Sequence, residues 1–336
     1  MKITQIATGT ISIPPNGWGA IERIIWAYKE KLEILGNNVN IKYANEINKE
    51  DGIIHTHIAN LALDCKKKGI PYVFSLHDHH TEWYGKDSYC YKHNLEAIKG
   101  SIISFSHAEH LVDFFDETDK LFYLSHGVDT NFFLPDYSEK PHSLLMLANN
   151  GLAGDNGIDR KGFRYGIEAA MELDLPITIA GHPDNKKFFE IHNELLNYKK
   201  LNLILTNPTD EETRKLYQSH TMFLHPSFLE AGHPNLTLLE AASSCVPIIG
   251  TYKGSKHIYG MWVIPECSTQ QVVHGIKETI KTYDYRREEM FSNRELLDWQ
   301  YIANKLHKFY ENILKVNEKY DSEKTKKLYI KCLNTI

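Results

Sequence analysis

No apolar run in the 336 residues approaches the ~20 needed to span a bilayer as a helix, so membrane attachment is expected to be peripheral at most. Cysteine is sparse. Cys65, Cys90, Cys245, Cys267 and Cys332 are odd in number, scattered and without a Cys-x-x-Cys pair, which argues against a disulfide framework and against a structural zinc site. Neither sign of charge dominates: 38 basic against 43 acidic residues leave a formal charge of -5, too little to drive the whole chain toward nucleic acid or an anionic membrane. A small-molecule partner fits that balance better. Low-complexity tracts are missing too, and 42% apolar with 24% charged residues is the composition of an ordinary globular protein. Met1-Lys2 leads straight into Ile3–Ala7 without the apolar core and small-residue cleavage site of a secretory signal, and the expected location is cytoplasmic.

What is present is alternation. Short apolar runs alternate with helical patterns, the mark of βαβ units and parallel sheets. Strands are expected at Ile3–Ala7, Val39–Tyr43, Gly52–His55, Tyr72–Leu76, Ile102–Ser106 and Lys120–Leu124. After a connecting segment, Ser125–Lys140, a second set follows at Ser143–Ala148, Ile177–Ala180, Leu203–Leu205, Met222–His225, Val246–Ile249 and Trp262–Ile264. Gly162–Leu173, Asp210–Gln218 and Asn235–Ser244 have helical spacing between them. The pattern is helical from Thr269 nearly to the end, strongest at Trp299–Leu314, and Asn317–Ile336 reads as a solvated or frayed helix. The chain therefore divides into an α/β domain at 1–140, a second at 141–298, and a helical segment with tail at 299–336, with ligand expected in the cleft between the two halves.

Three stretches carry chemistry. The first, Pro14-Pro15-Asn16-Gly17-Trp18-Gly19-Ala20-Ile21-Glu22-Arg23, leaves a strand and opens a helix, where free amides favour a phosphate or polar acceptor. With Glu22 in place of a third glycine it is a poor dinucleotide fingerprint, and glycines needed only for turning remain an equal reading. The second, Asp159-Arg160-Lys161-Gly162, either neutralises a diphosphate at a helix start or is a solvated surface pair; its place after the first strand of the second half favours the former. The third runs from His225-Pro226-Ser227 through Glu230, Gly232, His233 and Pro234 to Asn235-Leu236 and Glu240-Ala241. A polar loop there ends in a helix start, and Glu240 lies just over one turn in, among apolar neighbours that imply burial, placed to accept hydrogen bonds from vicinal ribose hydroxyls.

These stretches, taken in order, resemble the retaining glycosyltransferases of family four. Pro14–Arg23 looks like that family's acceptor-side glycine loop, Ser125-His126-Gly127-Val128-Asp129-Thr130 through Pro135 like its interdomain signature, and Arg160-Lys161-Gly162, Pro226–Ala241, Pro247 and Gly254 like its donor site. The resemblance covers almost the whole chain. It implies a GT-B fold: two Rossmann-like domains facing a central cleft, with the C-terminal helix packing back toward the first. It also implies that Lys161 contacts the donor diphosphate with Arg160 as helper, that Glu240 binds the ribose, and that Glu230, Gly232, His233, Pro234, Asn235 and Leu236 face the transferred sugar and phosphates. Gly19 and Ala20 would lie beneath the phosphates or acceptor, and His77 would reach the sugar and the reacting centre. Base contacts are placed at Asn207-Pro208. The spacing of Glu230 and Glu240 is longer than the family's, so Gly232 stands where its first glutamate would be.

The expected activity is transfer of a hexose from a nucleoside-diphosphate sugar, UDP-linked, to a small-molecule, glycan or other hydroxyl acceptor with retention. No cofactor and no metal are expected: the chain lacks an Asp-x-Asp pair after a strand, and His77-Asp78-His79-His80 has no matching acidic cluster. His55 and His57 are expected to be satisfied core or cleft-wall histidines. Competing readings are a nucleotide-sugar epimerase or inverting enzyme of the same fold, a non-catalytic nucleotide or sugar binder, and a nicotinamide-dependent dehydrogenase, the last disfavoured by Glu22.

Overall fold

Short apolar runs bury themselves in sheets, and twelve strands of two to six residues form two parallel sheets. The computed structural model describes residues 1–336 apart from 16–18, 44–45, 49–50, 78–79, 150, 154–157, 229, 231–234, 253–257 and 316–336. The chain opens β1 (Lys2–Ala7), α1 (Ala20–Ile34), β2 (Asn38–Tyr43), β3 (Ile53–Thr56), α2 (Ala59–Lys67), β4 (Tyr72–Leu76), α3 (His80–Tyr84), α4 (Tyr89–Gly100), β5 (Ile103–Ser106), α5 (Glu109–Phe114) and β6 (Leu121–Tyr123). These make a six-stranded sheet in the order β2-β1-β3-β4-β5-β6, every pair parallel.

The second run is β7 (Leu144–Leu147), β8 (Leu152–Ala153), β9 (Ile158–Asp159), α6 (Phe163–Leu173), β10 (Ile177–Ala180), α7 (Lys186–Ile191), β11 (Leu201–Ile204), α8 (Asp210–Ser219), β12 (Met222–His225), α9 (Leu236–Ser243), β13 (Ile248–Gly250), β14 (Trp262–Val263), α10 (Thr269–Lys281) and α11 (Tyr283–Ser292). Its sheet runs β11-β10-β7-β12-β13-β14, again all parallel. Strand order reverses beside β7, between β10 and β12, and beside β1 in the first sheet. Open α/β sheets bind ligands outside the carboxyl ends of strands at such switch points. Between β7 and α6 the chain forms the short antiparallel pair β8-β9.

Local signals start the helices. Thr209 and Glu212 form a reciprocal capping box on α8, while Ser88 and Ser268 cap α4 and α10 with their hydroxyls. The last helix, α12 (Trp299–Lys315), belongs to the first compact unit, Met1–Gly127, where it packs on α1. Tyr310 on α12 is fully buried and its hydroxyl lies 2.6 Å from His55 Nδ1. The second unit lies within Val128–Asp298. The two meet in sequence at Gly127–Val128, inside the segment Ser125–Lys140 read as a connection. The Val128 amide donates to the Leu297 carbonyl (2.8 Å) and the Thr130 hydroxyl to Asp298 (2.6 Å), so the segment after Gly127 is held by the second unit. No helix among the described residues is long and apolar enough to cross a membrane. Asn317–Ile336 lies outside the described residues.

Candidate active site

In the second unit the site is built where β7 and β12 lie side by side. Gly162, the residue before α6, has φ +72, and a Cβ there would sit 2.2 Å from the Pro226 carbonyl oxygen. Only glycine permits so close an approach in that conformation. The Arg160 carbonyl accepts from the Ser227 hydroxyl (3.0 Å) and the Phe228 amide (3.2 Å), and Thr251 donates to the Ser227 carbonyl. The segment after β7 is thereby stitched to the segment after β12.

The stitching joins two side chains 69 residues apart. Lys161 Nζ donates to both oxygens of Glu230 at 2.6 Å, and both residues are buried. Arg160 lies 3.7 Å from the same carboxylate. Burial pulls the Lys161 ammonium below the ordinary lysine range while the facing Glu230 pulls the other way. His225, at the end of β12, is pushed by burial down to about 4, so its ring is neutral at pH 7. Its Nε2 accepts from Asn235 Nδ2 at 3.0 Å and stands 3.4 Å from Glu230. Two cations thus face one carboxylate, with a net positive charge beside a helix start.

The helix starts differ in what they offer. The amides of Phe163 and Arg164 are taken by the Asp159 carboxylate, at 3.0 and 2.8 Å, so the first turn of α6 already has its anion. At α9 the N-cap Asn235 turns its side chain to His225 and makes no side-chain cap bond, which leaves that end of the dipole uncovered by its own cap. Glu240 sits within α9, half-buried, and accepts from the Tyr217 hydroxyl at 3.1 Å. Tyr217 also donates to the Thr237 carbonyl at 2.9 Å, and nothing in its sequence position announced this partnership. Asn207 follows β11 in a left-handed conformation, φ 57, its amide bonded to the Gly181 carbonyl, with Pro208 after it. Leu236 opens α9, while Gly232, His233 and Pro234 lie outside the described residues.

The first unit brings together a different group. Gly19 precedes α1 with φ +137 and packs near Pro15 and Glu22; Ala20, the first residue of α1, is exposed. His57, His77 and His107 each stand one residue beyond β3, β4 and β5, and His126 three beyond β6. With His55 they form a run of stacked rings: His55 to His57 at 4.5 Å, His57 to His77 at 5.3 Å, His77 to His107 at 4.6 Å and His107 to His126 at 3.8 Å between centroids. Burial lowers His55 to about 3, His107 to about 4, and His57 well below the usual range. Those three rings, uncharged at pH 7, stack without repulsion among themselves. His107 carried no motif and His126 stood only within the interdomain signature; the signal that joins them to this group was the recurrence of histidine just past successive strands. Asp78 and His79 lie outside the described residues.

Residues 157–294 match a family model described as glycosyl transferases group 1. No curated protein matches the chain. Among solved structures, the sucrose-phosphate synthase of Thermosynechococcus elongatus superposes with a TM-score of 0.75 at 11% identity, covering 94% of this chain and 99% of that one. HepE from Anabaena, in complex with UDP and glucose, gives 0.67 at 12% identity, covering 94% and 100%. The catalytic domain of starch synthase IV from Arabidopsis thaliana, bound to ADP and acarbose, gives 0.68 at 11%, covering 93% and 99%. The fold is thus the two-domain α/β fold of GT-B glycosyltransferase structures.

Proposed function

We propose that the chain transfers a hexosyl group from a UDP-linked donor to a hydroxyl acceptor with retention at the anomeric carbon. The observation that carries this reading is the buried Lys161–Glu230 pair with Arg160 beside it, next to a helix start that its own cap leaves open. A diphosphate gains from that arrangement because preorganised charge in a site shielded from water stabilises a leaving group without reorganisation at the moment of reaction. Neighbours solved with UDP or with ADP, and the match over 157–294, support a nucleotide donor.

The anomeric C–O bond to the β-phosphate breaks, negative charge collects on that phosphate oxygen, and Lys161, Arg160 and the α9 amides take it up. The acceptor oxygen forms its bond to the anomeric carbon from the same face and passes its proton to the departing phosphate, so no side-chain nucleophile and no divalent cation at the diphosphate are needed. Glu230 holds the Lys161 ammonium charged and aimed; when the diphosphate binds, the ammonium exchanges one carboxylate contact for a phosphate oxygen. Glu240 accepts from the ribose hydroxyls, Asn207 and Pro208 flank the base, and Gly232, His233, Pro234, Asn235 and Leu236 line the sugar. His77 serves the donor sugar, and Gly19 with Ala20 the phosphates or acceptor, as the resemblance to family four implies.

A donor screen in chelator-containing buffer tests the reading. Transfer from a UDP-hexose with an α-linked donor giving an α-linked product is expected, and Lys161→Met should lower turnover roughly 100- to 1,000-fold. Unchanged turnover in that variant, or an inverted product, overturns it.

A further inference from the structure

We propose that His77, His107 and His126 form a binding site for a divalent zinc ion within the first unit. One nitrogen from each ring falls in a group whose members all lie within 4.8 Å of one another. The three come from neighbouring parallel strands, β4, β5 and β6, at the carboxyl end of the sheet, where side chains from different strands converge.

Hydrogen bonds fix which nitrogen each of two rings presents. His107 Nδ1 donates to the Leu124 carbonyl at 2.6 Å, which leaves its lone pair on Nε2, and that buried atom has no hydrogen-bond partner. Metal-binding imidazoles are commonly held in this way, the far nitrogen donating to a backbone carbonyl. His77 is set by a relay. Gln5 Nε2 donates to the Tyr310 hydroxyl at 3.4 Å, turning Gln5 Oε1 to accept from His57 Nε2 at 2.7 Å. His57 Nδ1 then accepts from His77 Nε2 at 3.0 Å, and the lone pair of His77 is on Nδ1. A ring whose proton is fixed on the far side presents its lone pair without first losing a proton.

Three imidazoles suit zinc, which binds nitrogen at about 2.0–2.1 Å and takes a water as fourth ligand when the protein supplies three. Tetrahedral ligand nitrogens sit roughly 3.3 Å apart at that bond length, so the group must close by about 1.5 Å at its widest. The stacked rings of His107 and His126 would open into a fan to aim both lone pairs at one point. His77 is half-buried, the other two are buried, so the ion would enter past His77. Because the proposed function assigns His77 to the donor sugar, zinc and donor compete for one imidazole, a competition that rests on that assignment.

The test uses the full chain stripped of metal with a chelator, then titrated with zinc against a competing fluorescent chelator, with X-ray absorption at the zinc edge. One zinc per chain with three imidazole nitrogens is expected, and His107→Phe should weaken it about 100-fold, whereas His274→Ala, at an exposed position on α10, should leave it unchanged. No stoichiometric zinc, a spectrum without three imidazoles, or equal affinity in His107→Phe overturns the site. The spectrum of the unaltered chain decides the matter if the variant fails to fold. Zinc should raise the apparent KM for donor and chelator should restore it; zinc bound at three imidazoles with KM unchanged overturns the competition. Absence of any transfer in chelator counts against the proposed function and leaves the zinc result standing.

Discussion

Lys161 and Glu230 each make the other affordable in a buried place, and this governs how variants there behave. Removing the ammonium takes the 2.6 Å contacts from a carboxylate 3% exposed at its side chain, whose other cation, Arg160, stands farther off at 3.7 Å. Loss of one member of a buried pair costs on the order of 3 kcal/mol. Lys161→Met should therefore lower both stability and turnover, and the double variant Lys161→Met with Glu230→Leu should recover most of the stability while turnover stays low. Denaturant midpoints beside single-turnover rates separate the two; recovery of turnover in the double variant would remove Lys161 from the chemistry. Glu240 is the milder case, because Tyr217 keeps the Thr237 carbonyl as acceptor when the carboxylate goes. Glu240→Ala should weaken binding of a nucleoside diphosphate by calorimetry roughly tenfold with little change in midpoint, in line with the loss of a charge-assisted hydrogen bond or two. Equal affinity would place the ribose elsewhere. The residue types at these positions were legible in the sequence, but the Lys161–Glu230 bond was not, since its ends are 69 positions apart with three strands between them.

At the scale of elements, α6 and α9 hang on two small features. Gly162→Ala would drive a methyl into the Pro226 carbonyl, a backbone atom that has no rotamer to escape through, in a left-handed conformation. A destabilisation of about 1–3 kcal/mol follows, with displacement of Lys161; an unchanged melting temperature would show that the contact relaxes freely. His225 holds the other element. Its folded value of about 4 lies below the ordinary 6.5, so the unfolded chain binds the proton first. The stability that the neutral ring secures is complete above pH 6.5 and is lost as pH falls toward 4, to at most roughly 3 kcal/mol. His225→Gln keeps an acceptor for Asn235 and should flatten that part of the pH profile measured by urea unfolding; an identical slope in the two proteins would assign the loss to other groups. The central strands were legible because parallel strands buried on both faces read as unbroken apolar runs. The β8-β9 pair was not, because two-residue strands bury too little to leave a pattern. Nor was the Asp159 cap of α6, although an acid just ahead of a helix start is its signal.

For the whole molecule, the two units are closed in different ways. The second, Val128–Glu230 with Pro234–Asp298, ties its own ends: Val128 to Leu297, Thr130 to Asp298, and Arg294 to the Phe133 carbonyl at 3.3 Å. It contains its own six-stranded sheet with packed cores on both sides, and the match over 157–294 falls inside it. The first unit is discontinuous. Trp299 packs edge-on against Tyr28 at 5.7 Å and against Gly127, where a Cβ would come within 2.7 Å of its ring, and Tyr310 closes the His55 end of the sheet. A fragment of residues 128–298 should therefore fold alone, with one cooperative thermal transition and an affinity for nucleoside diphosphate near that of the full chain. A fragment of residues 1–127 lacks α12, exposes Tyr28 and the inner face of α1, and should show no cooperative transition until a peptide of residues 299–315 is added. Circular dichroism of both fragments with and without that peptide checks the claim; independent folding of 1–127 would show that α12 covers its unit without being required to close it.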